Sequence, residues 1–320
     1  MKLFALLLAL LAFFGITFSP PPKKLVPLWS FRSIDTVKYS RDVARAKLDS
    51  PEFDLTIDQQ VQKIASAGAS HVAIGTPYDS EFLPYLRRWV AAARKYHLNV
   101  WFRGNWSGWE GWFNYARITP TEHMTKTQEF ILQHPDLFVD GDVFTACTEC
   151  ENGVLGDPRN TGQIASYRQF LVGEYQQTKK AFAKIGKNVP SNFDSMNRDV
   201  AQVVMDKDTT NQLDGLVVID HYVASPDNLA KDISLIAKTS GGKVILGEFG
   251  APIPDIHGAM TDAQQAQWLQ TVLDRLSQLP ELVGLNYWVS VGGSTQLWDD
   301  QGNARPAANI LSIFYHKAKT

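Results

Sequence analysis

Apolar residues along this chain recur with two different periods. Short apolar runs bounded by Gly, Pro, Asn or Asp alternate with longer segments whose apolar positions fall three and four residues apart. The short runs predict strands at Leu25–Ser30, His71–Gly75, Asn99–Arg103, Val143–Cys147, Asn188–Phe193, Gly215–Asp220, Lys243–Glu248 and Leu282–Trp288. Between them, the helical period predicts Thr56–Ala67, Glu81–Tyr96, Thr121–Gln133, Thr161–Ile185, Arg198–Met205, Pro226–Thr239, Thr261–Leu279 and Ala304–His316. Strand followed by helix, eight times over, implies right-handed βαβ units and an α/β fold in the form of a single (β/α)8 TIM barrel. A dinucleotide-binding sheet would need a glycine-rich turn after its first strand, and Ser30-Phe31-Arg32-Ser33-Ile34-Asp35 has no glycine. The stretch from Arg32 to Asp54 is expected to be a long irregular loop.

The N-terminus breaks the pattern. Lys2 precedes an apolar run from Leu3 to Phe18, then Ser19, three prolines and Lys23-Lys24. That arrangement is expected of an export signal. The run is short for a bilayer span, yet Thr17-Phe18-Ser19 makes a poor cleavage site, so an uncleaved membrane anchor through residues 3–18 is the alternative. Residues 1–24 are therefore set apart from a catalytic-size domain spanning 25–320, and the protein is expected outside the cytoplasm, secreted or tethered.

Charge adds one exclusion. With 31 basic and 33 acidic side chains, the net charge of -2 gives no field to draw the protein onto nucleic acid. Cys147 and Cys150 are the only cysteines; with no second pair, a structural zinc site is not expected, leaving a small disulfide or two packed thiols. His123, His134 and His257 read as surface or helix residues and make no metal set with His221, so no metal and no cofactor is expected. A Gly-x-Ser-x-Gly elbow is absent too.

In such a barrel the chemistry sits where strands end. Those ends read Arg103-Gly104-Asn105-Trp106, Thr148-Glu149-Cys150-Glu151-Asn152, Asn192-Phe193-Asp194, Asp220-His221-Tyr222, Glu248-Phe249-Gly250 and Asn286-Tyr287-Trp288. Carboxylates end the fourth and seventh strands. Two carboxylates facing each other across a barrel mouth are what glycoside hydrolysis requires, one to attack the anomeric carbon and one to protonate the leaving oxygen. Glu248 leaves a wholly apolar strand; Glu149 and Glu151 share strand parity, so alternation alone leaves the second carboxylate open between them. Nine tryptophans, four of them between Trp101 and Trp112, offer flat faces for sugar rings or a hydrophobic plug over the barrel end. Asn105-Trp106-Ser107 also reads as a glycosylation sequon.

Over residues 25–316 the chain resembles the clan A glycoside hydrolases, the retaining cellulases, mannanases and β-glycosidases. The resemblance rests on Thr148-Glu149 after strand four and Gly247-Glu248-Phe249-Gly250 at strand seven. It is supported by His221-Tyr222, by Trp288, and by the closing loop from Leu297 through Pro306 to Ala308. It implies Glu248 as nucleophile and Glu149 as acid/base, with Glu151 as the alternative. It also implies His221 or Tyr222 orienting Glu248, Trp288 as the sugar floor, and Arg103 in the place of the clan's strand-two arginine. Arg103, Asn105, Trp106, Asn192, His221, Tyr222 and Trp288 are thus the expected substrate-binding set, and a β-linked carbohydrate the expected partner. Thr148 stands where the clan usually has Asn. A glycan-binding barrel without catalysis, or a transglycosylase using the same two glutamates, is the alternative reading.

Overall fold

The computed structural model describes residues 29–317; the expected export segment lies outside them, as does most of the first expected strand. Eight strands are present: β1 Phe31–Asp35, β2 His71–Ile74, β3 Asn99–Phe102, β4 Val143–Phe144, β5 Ser195–Asn197, β6 Leu216–Asp220, β7 Lys243–Phe249 and β8 Leu282–Tyr287. They form one parallel sheet in the order β4-β3-β2-β1-β8-β7-β6-β5. The main crossover helices are α1 Phe53–Ser66, α2 Leu83–Lys95, α3 Pro120–Gln133, α4 Ile164–Lys184, α5 Arg198–Val204, α6 Pro226–Ser240, α7 Asp262–Leu276 and α8 Pro306–Lys317. The arrangement fits an α/β (β/α)8 fold. Among the described residues, no helix is long and apolar enough to cross a membrane.

Local chemistry sets several boundaries. Thr119 accepts from the Glu122 N–H while the Glu122 carboxylate accepts from the Thr119 N–H, and Pro120 occupies the first turn of α3. Thr261 and Gln264 build the same reciprocal cap on α7. Helix α6 starts behind Ser225 and ends at Gly241, whose φ of 72° is left-handed.

The inside of the curled sheet is stacked in layers. Phe31, Ala73, Trp101, Val143, Phe193, Val218 and Ile245 form one buried apolar cluster, with Val283 packed against it. Each comes from a different strand or, for Phe193, from the chain just before β5. Two residues further along three of these segments, the next inward positions are polar: Arg103, Ser195 and Asp220. An apolar floor thus carries a polar layer toward the C-terminal strand ends.

Three expectations need correction. The first described strand, β1, is Phe31–Asp35, running into the stretch expected to be a loop, which therefore begins only after Asp35. Its polar residues hid it: Asp35 points into the polar layer, and the Arg32 guanidinium donates to the carbonyls of Trp29 and Gly68. The fifth strand is Ser195–Asn197, not Asn188–Phe193. The earlier segment still runs beside β4, where Gly141 and Phe144 N–H groups donate to the carbonyls of Asn188 and Pro190, but Pro190 has no N–H for a ladder. Strand β4 stops at Phe144 because the N–H groups of Ala146 and Cys147 donate to the Asp194 carboxylate instead, at 2.8 and 3.1 Å. The two cysteines form a disulfide.

Candidate active site

Arg103 is the hub of the polar layer. Its Nη1 donates to Asp35 Oδ2 (3.0 Å) and to Glu248 Oε1, and its Nη2 donates to Ser195 Oγ (3.0 Å) and Asp220 Oδ2 (2.8 Å). The guanidinium sits 5.3 Å above the Trp101 ring, which belongs to the apolar floor. Burial opposes its charge, but Glu248, Asp220 and Asp35 overcome that and push its pKa well above the ordinary arginine value. Burial raises the pKa of Asp35 and of Asp220, with Arg103 lowering and Glu248 raising both.

Strict alternation would turn Glu248 away from this layer, because Ile245 and Gly247 already point inward. The ladder between β6 and β7 shifts register so that Asp220 pairs with Glu248, and this irregularity re-aims the side chain. Gly247 is required beside it: a Cβ there would lie 2.5 Å from Asp220 Oδ1 and 3.2 Å from Ser195 Cβ. Glu248 Oε2 accepts the Tyr222 hydroxyl proton at 2.8 Å, so both carboxylate oxygens are bonded. Burial and the neighbouring Glu248 drive the Tyr222 pKa well up, keeping it a donor.

Glu149 and Glu248 are neighbours in one cavity of about 140 Å³, lined also by Arg103, Thr148, Val37, Arg41, Trp112 and Trp288. Burial, and next the negative charge of Glu248, push the Glu149 carboxyl up to about 8. Glu151, the other candidate, turns elsewhere: its Oε1 accepts from the Asn197 N–H (2.6 Å) and its Oε2 from the Tyr167 hydroxyl (3.1 Å). Two aromatic walls flank the cavity. Trp288 meets Tyr222 edge-on at 6.1 Å with Lys38 Nζ over its ring at 5.3 Å, and the Arg41 guanidinium covers Trp112 at 4.6 Å.

Not every expected site residue is brought to this cavity. His221 donates its N–H to the Glu248 carbonyl, but its ring pairs with Asp232 at 2.9 Å, so Tyr222 alone of that pair touches the carboxylate. Asn192 precedes β5; its amide donates to the Leu213 carbonyl, on the side where β6 begins, and it lines a separate hollow with Tyr175 and Lys179. Asn105 is buried, accepting from Trp106 N–H and meeting His123 Nε2 at 3.0 Å, which also closes its sequon to modification. Trp106 packs against Tyr78 and Phe130 and donates to Thr127 Oγ1, facing a different hollow. Trp109 stacks on Phe170 at 5.3 Å and is buried in the core rather than at the cavity. His123 is on a helix as expected but is buried against Trp109, not on the surface. Among the described residues, no group of His, Cys, Asp and Glu could hold a metal ion.

The sequence reading missed Asp35, Ser195 and Asn286 as site residues. Asn286 donates to Asp35 Oδ2 (3.2 Å) and to the Gly247 carbonyl (2.9 Å), tying β8 to β1 and β7. Correct placement of β1 would have revealed Asp35, since Phe31, Ser33 and Asp35 share a face.

Solved structures share this fold. No protein-family model and no curated protein matches the sequence. In fold, however, the chain is similar to GH5 glycoside hydrolases of clan A. A Bifidobacterium longum subsp. longum GH5_18 protein in complex with Manb1-4GlcNAc is 15% identical with a TM-score of 0.66, covering 91% of this chain and 78% of that one. A Streptomyces cattleya GH5_18 protein in complex with GlcNAc is 14% identical with a TM-score of 0.66, covering 91% and 81%. A fungal β-1,4-galactanase is 14% identical with a TM-score of 0.59, covering 90% and 99%. The resemblance to clan A read from the sequence holds at the level of fold.

Proposed function

We propose that this chain is a retaining glycoside hydrolase on a closed, single-domain (β/α)8 barrel, cleaving β-linked carbohydrate by double displacement. One observation carries the reading: Glu149 and Glu248 share a small cavity in opposite environments. Glu149 keeps its proton up to about pH 8, whereas Glu248 is bonded through both oxygens by Arg103 and Tyr222. Glu248 attacks the anomeric carbon as Glu149 protonates the departing oxygen. Glu149, now a carboxylate, then takes a proton from water, whose oxygen displaces Glu248 and restores the original anomeric configuration. Arg103 and Tyr222 orient the nucleophile, and Trp288 offers its face to the ring being cleaved. No metal or cofactor takes part.

The neighbours in complex with Manb1-4GlcNAc and GlcNAc support a carbohydrate substrate. The Cys147–Cys150 disulfide supports residence in an oxidising compartment outside the cytoplasm. The test is release of sugar from a panel of aryl β-glycosides differing in sugar configuration, by wild type and Glu248→Gln. Loss of at least about 10³-fold in kcat at an unchanged unfolding midpoint supports the assignment. Activity of the variant within tenfold of wild type refutes it.

A further inference from the structure

The disulfide takes no part in the double displacement, yet it brackets the residue on which that mechanism depends. Cys147 and Cys150 lie two before and one after Glu149, with Cα atoms 5.4 Å apart and both residues buried. Glu149 has φ 44° and ψ 54°, the left-handed region in which a side chain crowds its own backbone and which only Gly, Asn and Asp visit readily. A glutamate stays there only if its surroundings hold it.

The strand does not provide that hold. Ladder pairing of β4 ends at Phe144, and Glu149 lies five residues further on. Over this span the backbone is tied by isolated bonds: Thr145 N–H to the Phe102 carbonyl (2.8 Å) with its own carbonyl and hydroxyl bonded to Tyr78, Trp101 and Phe193, Ala146 and Cys147 N–H to Asp194, and Glu149 N–H to the Ser195 carbonyl (2.9 Å). Asn152 donates its N–H to the Glu149 carbonyl (2.9 Å) and its amide to the Glu149 carboxylate on the exposed side (3.2 Å). Thr148 Oγ1 reaches the Arg103 carbonyl at 3.1 Å. Beyond Glu149, Trp109 Nε1 donates to the Cys150 carbonyl at 3.2 Å. Rotation of Glu149 into the right-handed region would swing its carboxyl out of the cavity and displace Cys150 relative to Cys147. The covalent link opposes that displacement.

Resting on the glycosidase reading above, we propose that the Cys147–Cys150 disulfide is a positioning device for the acid/base, closing a four-residue loop that holds the Glu149 carboxyl in the cavity it shares with Glu248. Opening it by a dithiol is a two-electron exchange: the protein disulfide becomes two thiols and the reagent becomes its own cyclic disulfide. The fold remains, but the carboxyl loses its fixed place. A misplacement on the order of 1 Å costs about 100-fold in a step that needs that group.

The test uses the full chain carrying Cys147→Ala with Cys150→Ala, and two aryl glycosides of one sugar, with a poor and a highly activated leaving group. Glycosylation from the activated aryl group needs no proton, so a displaced acid leaves that step intact. The expected result is a fall in kcat/KM of about 10- to 100-fold on the poor leaving group and less than about threefold on the activated one. Azide, an anionic nucleophile that needs no general base, should raise turnover of the activated substrate by the variant and yield the glycosyl azide. Equal slowing on both substrates, or no slowing on either, overturns the proposal. Should the double variant fail to fold, wild type reduced with a dithiol until both thiols are titratable is measured instead, against the same expectations. Wild type that hydrolyses no glycoside of the panel overturns the glycosidase reading itself, and is distinguishable because it needs no variant.

Discussion

Replacing Arg103 by Gln tests whether one guanidinium holds the floor of the site together. The wild-type side chain is 3% exposed and serves Asp35, Asp220 and Glu248, which are 1%, 2% and 13% exposed. Glutamine reaches less far and carries no charge, so it leaves the carboxylates facing one another without a cation. Removing one partner from a buried ion pair typically costs about 3–5 kcal/mol, because the stranded charge can neither pair nor hydrate. For a domain of this size that corresponds to roughly 5–8 °C in unfolding midpoint. The cost depends on pH in a fixed direction. Burial raises the folded-state pKa of Asp35 and of Asp220 in the wild type, and losing Arg103 removes the positive charge that lowers both. A carboxylate with a raised folded-state pKa favours folding at low pH and loses that contribution as pH rises. The variant should therefore lag wild type most near and above neutrality and recover part of the difference in mild acid. Urea unfolding followed by the fluorescence of the nine tryptophans, at neutral and mildly acidic pH, measures this. A variant within about 1 kcal/mol of wild type at neutral pH, with no pH-dependent recovery, would refute the buried-hub argument.

Three further outcomes follow from the same geometry. The kcat/KM profile should fall on its alkaline side near pH 8, as Glu149 loses its proton; Glu149→Gln assayed on an activated aryl glycoside should lack that limb, and its persistence would assign it to another group. Tyr222→Phe removes a donor to the Glu248 carboxylate, a bond of about 1.5–3 kcal/mol, so kcat/KM should drop roughly 10- to 150-fold if the bond strengthens as the nucleophile reacts; a drop of less than threefold would contradict the orienting role. Asp194, pushed up to about 8 by burial, contributes stability that is full below the ordinary carboxylate range and lost as pH rises through about 8; Asp194→Asn should cancel that loss, and parallel pH–stability curves for the two proteins would count against it.

Periodicity revealed most of the scaffold, and the reasons for its failures are local. Strands β2, β3, β6, β7 and β8 are apolar runs buried against helices, so composition marks them. Strand β1 is as buried, yet its sequence Phe-Arg-Ser-Ile-Asp looks like a loop because its inward positions serve the polar layer rather than the apolar floor. Strand β5 is short and follows Pro190, and its inward Ser195 is likewise polar. Glu149, Glu248, Arg103, Tyr222 and Trp288 were legible as strand-end residues, and all five line or border one cavity. Choosing Glu149 over Glu151 was not possible by parity; hydrogen bonds to Asn197 and Tyr167 turn Glu151 away. Asn105 and Trp106 follow β3, but a strand-end position does not say which way a loop then folds; Asn192 was misjudged because the fifth strand begins only at Ser195, beyond it. The register shift that aims Glu248 inward leaves no mark in sequence beyond Gly247.

The most direct test of the account is covalent capture of the nucleophile. An activated aryl β-glycoside fluorinated beside the anomeric carbon slows both steps, the second more, so a retaining enzyme accumulates its glycosyl-enzyme. Peptide mass spectrometry of the inactivated protein should find one sugar per chain, on the peptide and at the side chain of Glu248, and none on Glu248→Gln. Turnover of the parent glycoside with inverted product and no labelled peptide, or a label on any other residue, would contradict the central claim.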